Sequence, residues 1–311
     1  MDAIARWRQK GLLLERRAAL LAAIEDGRLF SVADELSAML YLGALLLIAG
    51  VSATVKQYFQ QLGRPAIVAA LGGSVLACLA YCESRSRPYS DGPVESPTPG
   101  FDYILFIGCA LVGVLFAYLE SQFHWLGDNW DLYLLASSLC FLYAAYRFDN
   151  RMVLAMGLLN LGGCIAVRAQ RYLHADTQMM RHVVMAEGAV ACAVGLSGSR
   201  SGVKAHFEDT YLSLGINAML AALISDPKSI QLVSPSLLLI LLICGACIAF
   251  ATTYRRFAYF LYGVGYGYAA VAIAVAPHLS GISQGALFFL VSAGAAVAAI
   301  LAFRKSLEAK E

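Results

Sequence analysis

The sequence predicts an all-α, polytopic integral membrane helix bundle of about ten transmembrane helices with both termini cytoplasmic. Three observations lead there. Apolar residues (A, V, I, L, M, F, W, Y, C) make up 59% of the 311 residues and charged ones only 14%, against roughly 25% charged residues in a soluble domain. A chain so poor in charge cannot cover a water-facing surface, and its mean hydropathy of +0.66 agrees. The apolar residues also come in runs near the ~20 positions that a bilayer core requires as helix. Finally, the prolines stay at the edges of those runs or between them, so no span loses a backbone hydrogen bond that lipid cannot replace. The net charge of +2 builds no phosphate-facing patch, which excludes a nucleic-acid partner. The partner the composition asks for is the lipid bilayer.

The elements follow in chain order. Residues 1–33 read as a cytoplasmic amphipathic helical element. In GLLLERRAALLAAIEDG, Leu13, Leu20, Leu21 and Ile24 fall near one face, Glu15, Arg16, Glu25 and Asp26 elsewhere, and Gly27 suits the helix end. Trp7 beside Arg6, Arg8 and Lys10 suits anionic headgroups. A helix capping the bundle, or a dock for a cytoplasmic protein partner, fits the same pattern. No cleavable signal peptide is read there, since the first hydrophobic run begins only at Leu36. The transmembrane domain, 34–311, opens with Leu36–Val55 and Pro65–Cys82. Glu83–Gly100 holds four of the eight prolines and reads as a linker-like loop. Phe101–Leu119, Asp131–Tyr146, Met152–Val167, Val183–Ser197, Thr210–Ser225, Pro235–Tyr254, Phe257–Ala276 and Gly285–Phe303 complete the ten. Those from Asp131 to Ser225 are short or polar at their ends. A helix of about 16 residues covers only ~24 Å, so they need local thinning or shared burial.

Orientation follows from the bias of Lys and Arg toward the cytoplasm. With the N-terminus inside, 17 of the 23 basic residues fall in inside segments and 6 outside. The misfit is Arg168, Arg171 and Arg181, three arginines on the outside. If Met152–Val167 and Val183–Ser197 did not cross, the split would become 20 to 3, so eight spans is the alternative. The apolarity of MVLAMGLLNLGGCIAV favours ten. The membrane is expected to be the bacterial cytoplasmic (inner) one.

Three stretches of the chain resemble a known family. Trp7, then Gly11-Leu12-Leu13 and a short helix ending near Gly27, lead straight into YLGALLLIAGV at 41–51; AYRFDNRMVLAMGLLNL follows at 145–161 and HFEDTYLSLGINAMLAAL at 206–223. Together they resemble the prokaryotic membrane-protein family of the domain of unknown function 2157. The resemblance implies a many-helix membrane protein with a cytoplasmic N-terminal element; it implies no activity, and no functional residue is carried over from it.

Ionisable residues inside a span are functional candidates by default. Glu187 is the clear one, read at about one turn inside the outer interface, where Arg168, Arg181 or His182 can reach it. It reads first as half of a structural ion pair and alternatively as a proton- or ion-coupling carboxylate. Asn160 and Asn217, the other mid-span polar groups, read as hydrogen bonds between helices. Cys244-Gly-Ala-Cys247 lies mid-helix and reads as two small packing residues rather than a redox or zinc motif. Gly263-Val-Gly-Tyr-Gly267 runs on unbroken inside a helix, so it reads as a packing notch and not as a selectivity filter. On the outer face, Glu120, His124, Asp128 and Asp131 share one loop, and Arg171, His174, Asp176 and His182 another. The pairing of His124 and Asp128 with His174 and Asp176 is a candidate for metal binding or acid–base work, weighed against solvated loops with Trp125 and Trp130 as interface anchors. No motif asks for a cofactor. The function expected is non-enzymatic, as scaffold, assembly factor or sensor, with a transporter or lipid or small-solute carrier using Glu187 as the alternative.

Overall fold

The computed structural model describes residues 63–279 and 281–308, with single helical positions at 39, 42, 43, 46, 49 and 50. The 1–33 element, and with it the proposed domain boundary, lies outside the described residues; so does most of Leu36–Val55. Among the described residues there are nine α-helices and no strand. They are α1 (Arg64–Arg85), α2 (Pro99–Phe123), α3 (Asp131–Phe148), α4 (Arg151–Tyr172), α5 (Thr177–Ser201), α6 (Glu208–Ile224), α7 (Pro235–Tyr254), α8 (Phe257–Val275) and α9 (Ile282–Glu308). Each coincides with one of the spans read from the sequence.

Local chemistry sets the helix ends. Prolines sit in the first turn of α1, α2 and α7, where a missing N–H costs nothing. The side chains of Asn150, Asp176 and Ser234 cap α4, α5 and α7 by accepting from Val153, Met179 and Leu237 N–H groups. Several spans are longer than their apolar cores. Met152–Val167 lies within the 22 residues of α4, and Val183–Ser197 within the 25 of α5. At 1.5 Å per residue these reach ~33 and ~37 Å, so neither needs thinning. Polar first and last turns, such as Thr177–His182, extend the helix beyond the apolar run. Seven of the described helices are long and apolar enough to cross a membrane; α6, at 17 residues, is too short for that standard, and α3, at 18, is too polar.

The helices pack as successive hairpins: α1 on α2, α3 on α4, α5 on α6 and α7 on α8, with α9 against α8. Helix α6 also touches α4, α7 and α8, which is why so short a helix buries Leu212, Leu220 and Leu223. Backbones meet where side chains vanish. A Cβ on Gly188 would lie 2.5 Å from the Gly215 carbonyl oxygen, and one on Gly263 would lie 2.7 Å from that of Cys244. The Gly263 notch thus receives α7, as its sequence suggested, and Cys244 and Cys247 are buried there. Large apolar residues meanwhile cover the outside: Leu238 and Leu242 on α7, and Leu287, Leu290, Val291 and Leu301 on α9 are all exposed. No residue in the most apolar stretch of α9 is buried. Such a belt of exposed aliphatic residues is tolerable only in lipid.

Candidate functional site

Two polar groupings stand out against this apolar body. The first lies at the end of the bundle that carries all four hairpin turns, where the sequence puts the cytoplasm. Asp149, in the α3–α4 turn, takes a left-handed backbone (φ 60) and buries its carboxylate to 3% exposure. That carboxylate meets three groups from two other chain segments: the Val94 N–H from the stretch before α2, and the His206 imidazole Nε2 and the Lys204 ammonium, at 3.2 Å, from the α5–α6 turn. Lys204 is also left-handed (φ 48), its side chain is 1% exposed, and its N–H donates to the Asp91 carbonyl at 2.8 Å. Its Nζ sits 5.1 Å from the Tyr89 ring centroid, a cation–π position. The Tyr89 hydroxyl donates to Asp91, which raises the pKa of this exposed phenol above the ordinary tyrosine value.

Around this centre, Asn150 donates to Asp102 at 2.9 Å and Ser96 donates to the other oxygen of Asp102 at 2.6 Å. Arg147 bonds the Glu83 carboxylate, the Ser86 hydroxyl and the Arg87 carbonyl. Residues 86–98, the non-helical stretch between α1 and α2, are strapped across two hairpin turns. The sequence reading did not find this grouping. Its members are contributed by segments about 55 residues apart, and no local pattern joins them.

The second grouping surrounds Glu187, and here the sequence reading needs correction. Helix α5 begins at Thr177, six residues earlier than the apolar run, so Glu187 lies ten residues or ~15 Å along it, near mid-helix. None of the expected partners pairs with it. Arg168 and Arg171 instead bracket Asp131, a fully buried carboxylate at the start of α3, at 2.6 and 2.8 Å. Arg181 binds Asp226 at 2.8 Å and the Ala222 carbonyl at 3.2 Å. His182 is exposed. Each arginine had a closer acid level with it across a hairpin, leaving the Glu187 Oε1 buried with no hydrogen-bond partner. The carboxyl lies against Gly162 of α4, where a Cβ would come within 3.1 Å of Oε2.

Glu187 borders a groove of about 660 Å³ between α4, α5 and α6, with Tyr266 of α8 at one side. Asn217 lines the same groove; it accepts from the Tyr266 hydroxyl at 3.1 Å and donates to the Ser213 carbonyl, so it links α6 to α8 as expected of a mid-span amide. Asn160 does not link helices: its amide donates to Met156 on its own helix. The outer-face residues His124, Asp128, His174 and Asp176 are all exposed. His124 and His174 take left-handed helix-end backbones, and Asp176 is spent as the α5 cap. Among the described residues no three or more His, Cys, Asp or Glu side chains come together as a metal site would require.

The family model described as predicted membrane protein, DUF2157, matches residues 5–154, just under half of the chain. The match takes in the first of the three resembling stretches and runs into the second; the stretch at 206–223 lies beyond it. No curated protein and no solved structure matches. The chain is similar over that region to membrane proteins of unknown function, and it carries several helices fit to span a bilayer.

Proposed function

We propose that this protein is a non-enzymatic, ten-span component of the bacterial inner membrane with both termini cytoplasmic, serving as a scaffold, assembly factor or sensor. Its domains are then the cytoplasmic element 1–33 and the transmembrane body 34–311. The observation that carries this reading is the convergence of the 86–98 stretch and the α5–α6 turn on the buried carboxylate of Asp149. It ties the 86–98 strap to two hairpin turns and gives the cytoplasmic end a fixed polar relief, while the flanks of α7 and α9 expose aliphatic side chains. A firm surface at one end of a lipid-covered body supports a platform, with residues 1–33 as its contact to a cytoplasmic partner. Deleting residues 1–28 is expected to release a specific co-purifying protein, read by mass spectrometry after mild-detergent purification. An unchanged set of co-purifying proteins counts against the platform.

A second reading, a lipid or small-solute carrier with Glu187 as coupling residue, is favoured by the groove alone. Its walls are apolar, and it places one carboxylate without a partner near mid-span, where acids commonly mark substrate or ion pathways.

A further inference from the structure

We propose that the groove between α4, α5 and α6 is a binding site for a cationic amphiphile, a single-chain amine whose ammonium pairs with Glu187 while its hydrocarbon lies along the aliphatic walls. The site is the one invoked by the carrier reading and the proposal deepens it, yet binding alone needs no transport.

Size comes first. A cavity of about 660 Å³ falls in the range of roughly 300–1,000 Å³ that small-molecule sites occupy. Composition then narrows the ligand. The lining is Gly, Ala, Leu, Ile and Val apart from Glu187, Asn217, Tyr211 and Tyr266, and it includes no Lys, Arg or His. Three of those four polar groups already have partners. Asn217 and Tyr266 bond each other, and the Tyr211 hydroxyl pairs with that of Tyr146 at 3.1 Å. Glu187 alone keeps a buried oxygen without one.

Charge decides the class. The arginines of this half of the bundle are committed to Asp131 and Asp226, so no described side chain neutralises Glu187. An isolated carboxylate and an isolated ammonium are each costly in a membrane interior, and pairing relieves both. A phosphate-bearing lipid fits less well, because nothing in the lining answers its negative charge. Two further features suit an amine with a tail. Gly162 leaves the carboxyl room on one side, and Leu159, Ile165, Val190 and Val194 are exposed at the mouth, so the ligand enters from the lipid.

The test uses the full chain in phosphatidylcholine nanodiscs and radiolabelled n-dodecylamine at neutral pH, with n-dodecanol and phosphatidylethanolamine as competitors. Saturable one-to-one binding is expected, displaced at least tenfold less well by the alcohol or the phospholipid. Tenfold is the least that a close, buried charge pair contributes. Glu187→Gln should bind the amine at least tenfold more weakly and lose the preference for amine over alcohol. Gly162→Leu, which keeps the acid but fills the recess, should also bind weakly. If Glu187→Gln does not fold, the preference of the unaltered chain decides alone. Absence of saturable binding, equal displacement by dodecanol, or undiminished affinity in folded Glu187→Gln overturns the proposal. Better displacement by phosphatidylethanolamine overturns the single-chain assignment. Each of these outcomes leaves the cytoplasmic platform untouched, and tight amine binding without uptake would remove only the carrier.

Discussion

At the scale of single residues, Asp149 holds one end of the bundle together. Its carboxylate serves a backbone N–H, an imidazole and an ammonium, and both Asp149 and Lys204 hold backbone conformations that residues other than glycine seldom adopt. Such conformations persist where the surroundings over-determine them, and here the Lys204 N–H bond to Asp91 and the buried ion pair do so. Asp149→Ala strands the Lys204 ammonium out of water; removing one partner of a buried pair costs about 3–5 kcal/mol. Lys204→Met should be milder, because His206 and the Val94 N–H still answer the acid. The double variant should be more stable than the sum of the two losses implies, since it leaves no uncompensated buried charge. Thermal survival of monodisperse protein in detergent measures all three. Strictly additive losses would show that the pair is not coupled.

At the scale of elements, the hairpin accounts for most of the packing and for much of what sequence could and could not reveal. All nine described helices were legible from apolar runs and proline placement, because lipid imposes length and composition together. Their ends were not, because polar first and last turns carry no apolar signal. The ion pairs were legible in principle. Asp131 lies 18 residues before Asp149 and Arg168 lies 18 after Asn150; Arg181 lies 22 before Val203 and Asp226 lies 22 after Lys204. Residues equidistant from a tight turn sit level in an antiparallel pair, and that symmetry assigns Arg168 to Asp131 and Arg181 to Asp226. Reading Glu187 only against sequence neighbours gave it arginines that were already taken. The groove beside it needs three helices at once, which no pairwise spacing encodes. Close approach is encoded by single glycines, and it supplies a sharp prediction. Gly215→Ala puts a methyl 2.5 Å from the Gly188 carbonyl and 2.6 Å from the Cys192 sulfur, so α5 and α6 must separate, at about 1–3 kcal/mol for overpacking. Gly245→Ala meets nothing within 4 Å and should cost nothing. Equal melting temperatures for the two variants in detergent would mean that α5 and α6 do not cross at those glycines.

At the scale of the whole molecule, the choice between ten spans and eight turns on Arg168, Arg171 and Arg181. Counted as free cations they pull the 173–176 loop toward the cytoplasm. Their structural roles weaken that pull: all three are bound to Asp131 or Asp226, and Arg171 stands in the last turn of α4, where a helix end favours a cation. They are needed where they are by the hairpins, whichever side that is. The helices on either side of the loop are 22 and 25 residues long, and the Asp149–Lys204 contact joins the far end of α4 to the far end of α5. The α3–α4 and α5–α6 turns therefore share one end of the bundle, and the 173–176 loop stands at the other, with 124–130. Ten spans then requires that His174→Cys and Asp128→Cys both react with a membrane-impermeant thiol reagent added outside spheroplasts, while Val203→Cys reacts only after lysis. The native cysteines all lie within helices, which makes the unsubstituted chain the background control. Labelling of Asp128→Cys without labelling of His174→Cys would put the loop inside and leave α4 and α5 as helices that enter the membrane without crossing it. In that case the arginines obey the charge bias after all, and eight spans replaces ten.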